Sequence, residues 1–158
     1  IYTLLPETRA HFFTGKLLAA FFLILLSIAQ AKAQTNTASQ LDVSNFSFTP
    51  TVIDTSNSSQ AVSVTVRVTD VITDVSSVSV RFRSAADNQF LTINMNAQNR
   101  ISGDSRDGVY RKDAIFPQGS KAGTWSVFEI IAFDISDYRN FYSSDFAVRG
   151  FPTDLQVI

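Results

Sequence analysis

Residues 122–134 contain the only tryptophan of the chain, Trp125, and are rich in β-branched and aromatic side chains. Such side chains pack well on the pleated surface of a sheet. A turn sequence, Pro-Gln-Gly-Ser at 117–120, precedes the segment, and Asp134 favours another turn at its end. The segment therefore predicts a long central strand, around which the other strands are arranged.

The alternation of side chains along this strand contains one conflict. Successive side chains of a strand point to opposite faces, so continuing the face of Trp125 would bury the carboxylate of Glu129. A β-bulge near Phe128 and Glu129 removes the conflict because it inserts one extra residue. The bulge would place Ile130 and Ala132 on the face of Trp125 and turn Glu129 outward.

The clearest alternation in the chain lies at 61–69, where four valines occupy every second position. This pattern is typical of a strand with one buried face. Shorter segments of the same kind, separated by turn residues, lie at 41–53, 78–83, 88–96, 109–116, 139–142 and 153–158. Residues 143–150 predict a single helical turn that Gly150 ends. Seven or eight short strands predict an all-β fold, a two-sheet antiparallel sandwich of immunoglobulin-like type over residues 41–158.

The first 33 residues predict a secretory signal peptide with an N-terminal signal helix. An apolar run at 17–29 follows a basic stretch and is too short for a comfortable membrane span. Residues 31–33 form an A-x-A cleavage site, which would leave Gln34 as the new amino terminus; the alternative is an uncleaved anchor. Residues 34–40 are polar and predict a linker. We therefore expect a secreted or cell-surface protein without a stable membrane span after cleavage.

The residue types that the exported part lacks limit its chemistry. The chain has no cysteine and one histidine, His11, which lies in the predicted signal peptide. The remaining residues cannot form a Ser-His-Asp triad, a Cys-His dyad or an ordinary zinc site. Removing the three basic and one acidic side chains of residues 1–33 from the totals of 13 and 14 leaves a net charge of −3. We therefore expect no enzymatic activity and no binding of nucleic acid.

Several short motifs follow one another in a recognisable order along the chain. They are Val66-Arg67-Val68-Thr69-Asp70, Val75-Ser76-Ser77-Val78-Ser79-Val80-Arg81-Phe82, Asp107-Gly108-Val109-Tyr110, Pro117, Gly123-Thr124-Trp125-Ser126-Val127, Asp134, Tyr142-Ser143 and Gly150-Phe151-Pro152. Together they resemble one known family, the bacterial immunoglobulin-like modules that occur in large secreted and surface proteins. The sequence departs from the family at 134–140, where the glycine of a D-x-x-G-N hairpin is missing. The resemblance covers nearly all of residues 41–158. It implies a spacer or adhesive module that accompanies other domains, not a catalyst.

Six aspartates adjoin strands whose predicted order brings three loops to one end of the sandwich. They are Asp70, Asp74, Asp104, Asp107, Asp134 and Asp137. Carboxylates converging from three loops could bind calcium, which takes several oxygen ligands at once. Aspartate is also a common turn former that accepts hydrogen bonds from its own backbone. The spacing does not match an EF-hand loop, so calcium is an open hypothesis, and no other cofactor is predicted.

Five aromatic residues suggest a flat platform for sugar rings. They are Phe90, Phe116, Tyr138, Phe141 and Tyr142. A sandwich also needs aromatic side chains inside its core, and this interpretation competes with the platform for each residue. Two or more exposed, coplanar rings on one face would favour the platform.

Charged residues on predicted strands provide two further candidates. Arg81 and Arg83 alternate on the outer face of one strand, with Arg67 predicted on the neighbouring strand. This row either keeps the sheet soluble and discourages edge pairing or binds an anionic polysaccharide. Glu129 paired with an aspartate could formally hydrolyse a glycoside, whereas a lone glutamate on a strand is usually a solvated outer residue.

The function that the sequence predicts is that of a non-catalytic structural or adhesive module in a secreted or cell-surface bacterial protein. Its partners would be other domains of the same or a larger polypeptide, together with a surface glycan or a protein ligand. The alternative is a carbohydrate-binding module that accompanies a secreted hydrolase. Glycan binding by the mature chain separates the two, because a pure spacer binds nothing measurable.

Overall fold

The computed structural model describes residues 40–158, which form two sheets. Ten strands make up 60% of these residues, so the fold is mostly β and consistent with a β-sandwich. The strands are β1 (Asp42–Thr49), β2 (Val52–Ile53), β3 (Gln60–Thr69), β4 (Val75–Ser84), β5 (Phe90–Asn96), β6 (Arg100–Gly103), β7 (Asp107–Phe116), β8 (Gly123–Asp134), β9 (Tyr138–Phe141) and β10 (Asp154–Val157). The predicted signal peptide and nearly all of the predicted linker lie outside the described residues.

The strands are divided unevenly between the sheets. One sheet has four strands in the order β1-β3-β7-β6, and the other has six, in the order β2-β10-β8-β4-β5 with β9 also paired to β8. β10 pairs with the first part of β8 and β9 with its last part. The predicted antiparallel arrangement holds among the described strands with one exception, because β10 runs parallel to β2.

The structure has more strands than the sequence predicts. Pro50 breaks the first predicted strand, as a proline within an edge strand is expected to do, and separates β1 in one sheet from β2 in the other. β6 lies within 98–108, a polar segment outside every predicted strand. β2 and β6 have two and four residues, which is too short for a visible alternation. Gly108 lies in β7, and the glycine with a positive φ in this hairpin is Gly103, at 78°.

Four aromatic rings connect the two sheets through the core. Phe48 and Phe116 belong to the four-stranded sheet, and Phe82 and Trp125 to the six-stranded sheet. Consecutive rings in the series Phe48, Phe82, Phe116 and Trp125 contact edge to face, with centroid distances of 5.4, 5.9 and 5.3 Å. The indole N–H of Trp125 donates to the carbonyl oxygen of Lys121 at 2.9 Å, so the buried donor is paired. The predicted central role of β8 is confirmed by this packing.

The predicted bulge in β8 is present at Phe128, where the register against β4 shifts by one residue. Beyond the bulge, Ile130 and Ala132 are fully buried on the core side with Trp125, as predicted. Glu129 leaves the core as expected, but the prediction that it is solvated is wrong. It is 5% exposed because neighbouring side chains on the outer face cover it.

The predicted helical turn is α1 (Ser143–Arg149). Gly150 ends it with a φ of 67°, as the sequence predicts, and the N-cap residue is Tyr142. Arg149 in the last turn donates to Asp42 of β1 at 2.7 Å and so ties the helix to the four-stranded sheet. Within the described residues, no helix combines the length and the apolar character that crossing a bilayer would take.

Candidate functional site

Three loops meet at one end of the sheets, as the predicted strand order required. They are the β3–β4 loop (70–74), the β6–β7 turn (103–107) and the β8–β9 hairpin (134–137). The backbone N–H of Asp70 donates to the carbonyl oxygen of Arg106 at 2.8 Å. The hydroxyl of Thr73 donates to Asp134 Oδ2 at 2.9 Å and joins the first loop to the third. Hydrogen bonds of ordinary length therefore hold the three loops together.

The six aspartates of these loops already have donors. Asp70, Asp104 and Asp134 accept backbone N–H groups of their own turns. Asp107 accepts two hydrogen bonds from Arg67, at 2.6 and 2.7 Å, and this contact lowers the pKa of its carboxyl. In the described part of the chain, no group of three His, Cys, Asp or Glu side chains is placed to hold a metal ion. The loops converge but the six carboxylates do not form one cluster, and calcium binding stays a prediction.

The surroundings of Asp134 lower its pKa. Burial alone would raise the pKa of this carboxyl, but the backbone N–H groups of Ser136 and Asp137 and the hydroxyls of Thr73 and Ser136 outweigh that effect. The pKa falls from 3.8 to about 2. Because the folded state favours the charged form, Asp134 stabilises the fold above the unfolded pKa near 4. This contribution is lost as the pH falls toward 2.

We expect Asp134→Asn to lower the free energy of unfolding at pH 7 by about 1–2 kcal/mol. The amide has one acceptor oxygen in place of two and no charge, so it satisfies fewer of the four donors. The difference between wild type and variant should shrink as the pH falls from 4 to 2, because protonation then removes the same charge from the wild type. Urea unfolding at pH 7, 4, 3 and 2 measures this difference.

The matched control for this experiment is Asp113→Asn, at an exposed position on β7. It should leave the free energy of unfolding within about 0.5 kcal/mol of the wild type. A difference between Asp134→Asn and wild type that stays constant from pH 7 to pH 2 would contradict the assigned role of the carboxylate.

A second cluster lies on the outer face of the six-stranded sheet, on β4, β5 and β8. Its members are Arg81, Arg83, Phe90, Phe128 and Glu129, and we call it the arginine-aromatic face. Phe90 and Phe128 contact edge to face at 5.3 Å, and the guanidinium carbon of Arg81 lies 4.5 Å from the centroid of Phe90. The sequence marks Phe128 only as part of the bulge and not as part of a site. The available signal was the alternation of the strand, which places Phe128 on the face opposite Trp125 and Val127.

Arg81 and Glu129 form an ion pair in the middle of this face, with an N–O distance of 2.5 Å. The rings of Phe90 and Phe128 lie against the guanidinium, and the side chain of Glu129 is only 6% exposed. The two charges therefore neutralise each other, with the carboxylate in a poorly solvated position. Glycoside hydrolysis uses two facing carboxylates, whereas Glu129 faces an arginine.

Arg83 lies on the same strand but in a different electrostatic setting. Among residues 40–158 it has no carboxylate within ion-pair distance. Its Nε and Nη2 donate to Asn88 Oδ1 at 3.1 and 2.5 Å, and its guanidinium carbon lies 5.7 Å from the centroid of Phe128. These contacts orient the guanidinium but leave its positive charge uncompensated.

A groove of about 500 Å³ lies beside Arg83 and is open to solvent. Its lining includes Arg83, Ser126, Phe128, Tyr142 and Ser143. β10 pairs with β8 up to Ser126 and β9 begins to pair with it at Ile130, so the groove lies where β8 passes from one partner to the next. The bulge at Phe128 falls in the same gap. The break in strand pairing and the bulge together shape the groove.

A family model described as a domain of unknown function, DUF7035, matches residues 41–153. The chain belongs to the DUF7035 family. No curated protein matches the sequence, and no immunoglobulin-like family is shown by the comparisons.

Two solved structures are similar to this DUF7035 domain at low identity. Cwp6 from Clostridium difficile is 15% identical with a TM-score of 0.46, and the match covers 72% of this chain and 17% of that one. The β-glucosidase EmGH1 from Erythrobacter marinus is 10% identical with a TM-score of 0.36, and the match covers 76% and 16%. The chain thus spans about a sixth of the length of either protein.

The five aromatic residues of the predicted platform separate into two groups in this DUF7035 domain. Phe116 and Phe141 are fully buried, so the platform prediction is wrong for them and the core interpretation is correct. Phe90, Tyr138 and Tyr142 are 44, 60 and 44% exposed. Strand alternation could not separate the groups, because aromatic residues suit the core and an exposed face equally well.

The predicted row of three arginines does not form in this DUF7035 domain. Arg67 lies on β3 in the four-stranded sheet and pairs with Asp107, whereas Arg81 and Arg83 share β4 in the other sheet. β3 and β4 are consecutive in the chain, but their connection crosses between the sheets. The face that could meet a ligand therefore carries one uncompensated arginine, Arg83, and not a row.

Proposed function

We propose that this DUF7035 domain is a non-catalytic, immunoglobulin-like module of an exported bacterial protein that adheres to a ligand through the arginine-aromatic face. The observation that carries the proposal is the setting of Arg83, an exposed guanidinium without a carboxylate partner in residues 40–158. Its guanidinium carbon lies 5.7 Å from the centroid of Phe128, and both side chains line an open groove. Arginine and aromatic residues are the side chains that most often dominate binding energy at interfaces.

The immunoglobulin-like part of the proposal is supported by the packing of the sheets. β8 lies centrally in the six-stranded sheet, and Trp125 packs across the core against Phe116 of the opposite sheet. A tryptophan packed between two largely antiparallel sheets is typical of immunoglobulin-like sandwiches. The motifs around Trp125 that resemble the bacterial modules lie in this part of the fold.

The non-catalytic part of the proposal is supported by residue chemistry. The only histidine in the chain is His11, and there is no cysteine. Glu129, the one glutamate among the described residues, is held by Arg81. The side chains most often used as a nucleophile with a general base, or for ordinary zinc chemistry, are therefore missing from residues 40–158.

A second candidate function is a carbohydrate-binding module that accompanies a secreted hydrolase. It is favoured by the exposed rings of Phe90 and Tyr142, each 44% accessible. Phe90 belongs to the arginine-aromatic face, and Tyr142 lines the groove next to it. An aromatic ring offers a broad apolar surface that suits the apolar face of a sugar ring. Its side chain also loses little conformational entropy on binding, because it has only two rotatable bonds.

The test of the proposed function is a binding assay with the full chain against bacterial cell walls and a panel of neutral and acidic polysaccharides. We expect binding to at least one of them. The double substitution Phe90→Ala and Phe128→Ala should weaken this binding by about tenfold or more, because it removes both rings from the face.

The control for the binding assay is Ile115→Ala, which removes a 54% exposed apolar side chain from the four-stranded sheet. It should change the affinity by less than about twofold. Circular dichroism checks that all variants keep the wild-type fold. Failure of the wild type to bind any member of the panel, or an equal loss in the control, would refute adhesion through this face.

A further inference from the structure

We propose that the groove beside Arg83 binds a uronic-acid-bearing polysaccharide, with the carboxylate on Arg83 and the sugar ring against Phe128 and Tyr142. This inference rests on the proposed function, since it names the ligand class of the same face. The three side chains line one groove of about 500 Å³. That volume suits one or two sugar residues of a longer chain, because ligand pockets of roughly 300–1,000 Å³ hold small molecules.

The charge that would attract the ligand is local. Residues 1–33 hold three of the 13 basic and one of the 14 acidic side chains, so residues 34–158 carry a net charge of −3. This net negative charge does not attract polyanions. Arg81 offers nothing to an anion because Glu129 already neutralises it. Arg83 is the cation of the face that lacks a carboxylate within the described residues. A carboxylate placed at Arg83 would supply the missing partner.

The hydrogen bonds of Arg83 leave the right geometry for that carboxylate. A guanidinium has five N–H donors arranged in a rigid fork. Asn88 Oδ1 accepts from Nε and Nη2 on one side of the guanidinium. Nη1 has no acceptor among residues 40–158, so it and the second hydrogen of Nη2 form a free fork. A carboxylate can accept both hydrogens in the bidentate arrangement that makes such pairs strong.

The rest of the groove suits a sugar ring next to the carboxylate. The ring of Phe128 lies beside the guanidinium, with 5.7 Å from its centroid to the guanidinium carbon of Arg83. Tyr142 accepts a hydrogen bond from Asn140 Nδ2 at 2.7 Å, which leaves its own hydroxyl hydrogen to donate. The groove thus offers the apolar ring of Phe128, the hydroxyl of Tyr142 and the cation of Arg83. A uronic acid has a matching group for each, namely the C–H face of its sugar ring, its hydroxyls and its carboxylate. Because the groove is open, a polymer can continue along the sheet past it.

The experiment compares two acidic polymers with a polymer in which the acid group is masked. The full chain is titrated with polygalacturonate, with alginate, and with the methyl ester of polygalacturonate, in which the ring remains and the charge is removed. We expect the wild type to bind at least one acidic polymer and to bind the ester at least about tenfold more weakly than polygalacturonate. Hydrogen bonds to a charged group contribute more binding free energy than hydrogen bonds between neutral groups.

Variants at Arg83 show whether that residue binds the carboxylate of the polymer. Arg83→Gln should weaken binding of the acidic polymer by about tenfold or more and should no longer distinguish polygalacturonate from its ester. Arg83→Lys should lie between the two, because it keeps the charge but loses the fork. The matched control is Arg111→Gln, which removes an exposed arginine of β7 in the opposite sheet and should change affinity by less than about twofold.

Each other outcome overturns the inference in a distinguishable way. Equal binding of polygalacturonate and its ester by the wild type, or unchanged binding by Arg83→Gln, would show that the acid is not recognised here. Binding of neutral polymers that depends on Phe90 and Phe128 would overturn the uronic acid and leave the proposed function standing. A peptide with a free carboxyl terminus is titrated beside the polymers, and tighter binding of this peptide than of every polymer would assign the groove to a protein ligand. No binding at all would refute both proposals.

Discussion

Phe82→Ala should lower the free energy of unfolding of this DUF7035 domain by about 3–5 kcal/mol. Phe82 is 0% exposed and lies in the middle of the aromatic series that joins the sheets, 5.4 Å from Phe48 and 5.9 Å from Phe116. Its removal takes away the buried apolar surface and leaves a cavity between two sheets. The cavity cannot close without moving strands that are held by their backbone hydrogen bonds.

Thermal and urea unfolding measure this loss, and the melting midpoint should fall by roughly 10–20 °C. The control is Phe90→Ala, which removes the same side chain from the outer face of the same sheet, where it is 44% exposed. It should cost about 1 kcal/mol or less. Equal losses in the two variants would mean that the aromatic series does not hold the sheets together.

Gly103→Ala should be the second most damaging of the predicted substitutions, with a loss of about 2–3 kcal/mol. Gly103 has a φ of 78°, and a Cβ added to it would lie 2.0 Å from the carbonyl oxygen of Asp107. The contacting atom belongs to the backbone of Asp107, which cannot rotate away as a flexible side chain can. The turn therefore has to open to make room for the added Cβ. The same turn supplies two carbonyls that accept backbone hydrogen bonds from the neighbouring segment. Arg106 accepts from Asp70 of the β3–β4 loop at 2.8 Å, and Ser105 accepts from Val75 at the start of β4 at 2.7 Å.

The control for Gly103→Ala is Gly119→Ala. Gly119 has nearly the same φ, 74°, but nothing lies within 4 Å of the added Cβ. Its substitution should cost about 1 kcal/mol from the left-handed conformation alone. The difference between the two variants in urea unfolding therefore isolates the clash with Asp107. Similar losses at both positions would show that the left-handed backbone conformation, and not the clash with Asp107, sets the loss of unfolding free energy in Gly103→Ala.

Features that depend on neighbouring residues along the chain were predictable. The alternation at 61–69 corresponds to β3, and the change of phase in 122–134 corresponds to the bulge at Phe128. Both follow from the two-residue period of a strand, in which one misplaced polar residue forces a local adjustment. The predicted meeting of three loops also held, because it required only the order of consecutive antiparallel strands.

Features that depend on which strands become neighbours were not predictable from the pattern. Arg67 and Arg83 have similar sequence surroundings, but Arg67 is paired with Asp107 across the four-stranded sheet and Arg83 is left without a carboxylate in residues 40–158. The same limit applies to Phe90 and Phe116, both aromatic residues at a strand end, of which one is 44% exposed and the other fully buried. Pairing between distant strands assigns each residue its partners, and the local pattern does not contain that information.

The sequence by itself determined that residues 41–158 form a largely antiparallel β fold around Trp125, because side-chain period and turn chemistry are local properties. It also determined which residue types are present for chemistry, since composition does not depend on folding. Tertiary structure alone decided that Glu129 is neutralised by Arg81 and that Arg83 faces an open groove. Charge compensation acts over a few ångströms of space, and only the packing of β4 against β8 sets those distances.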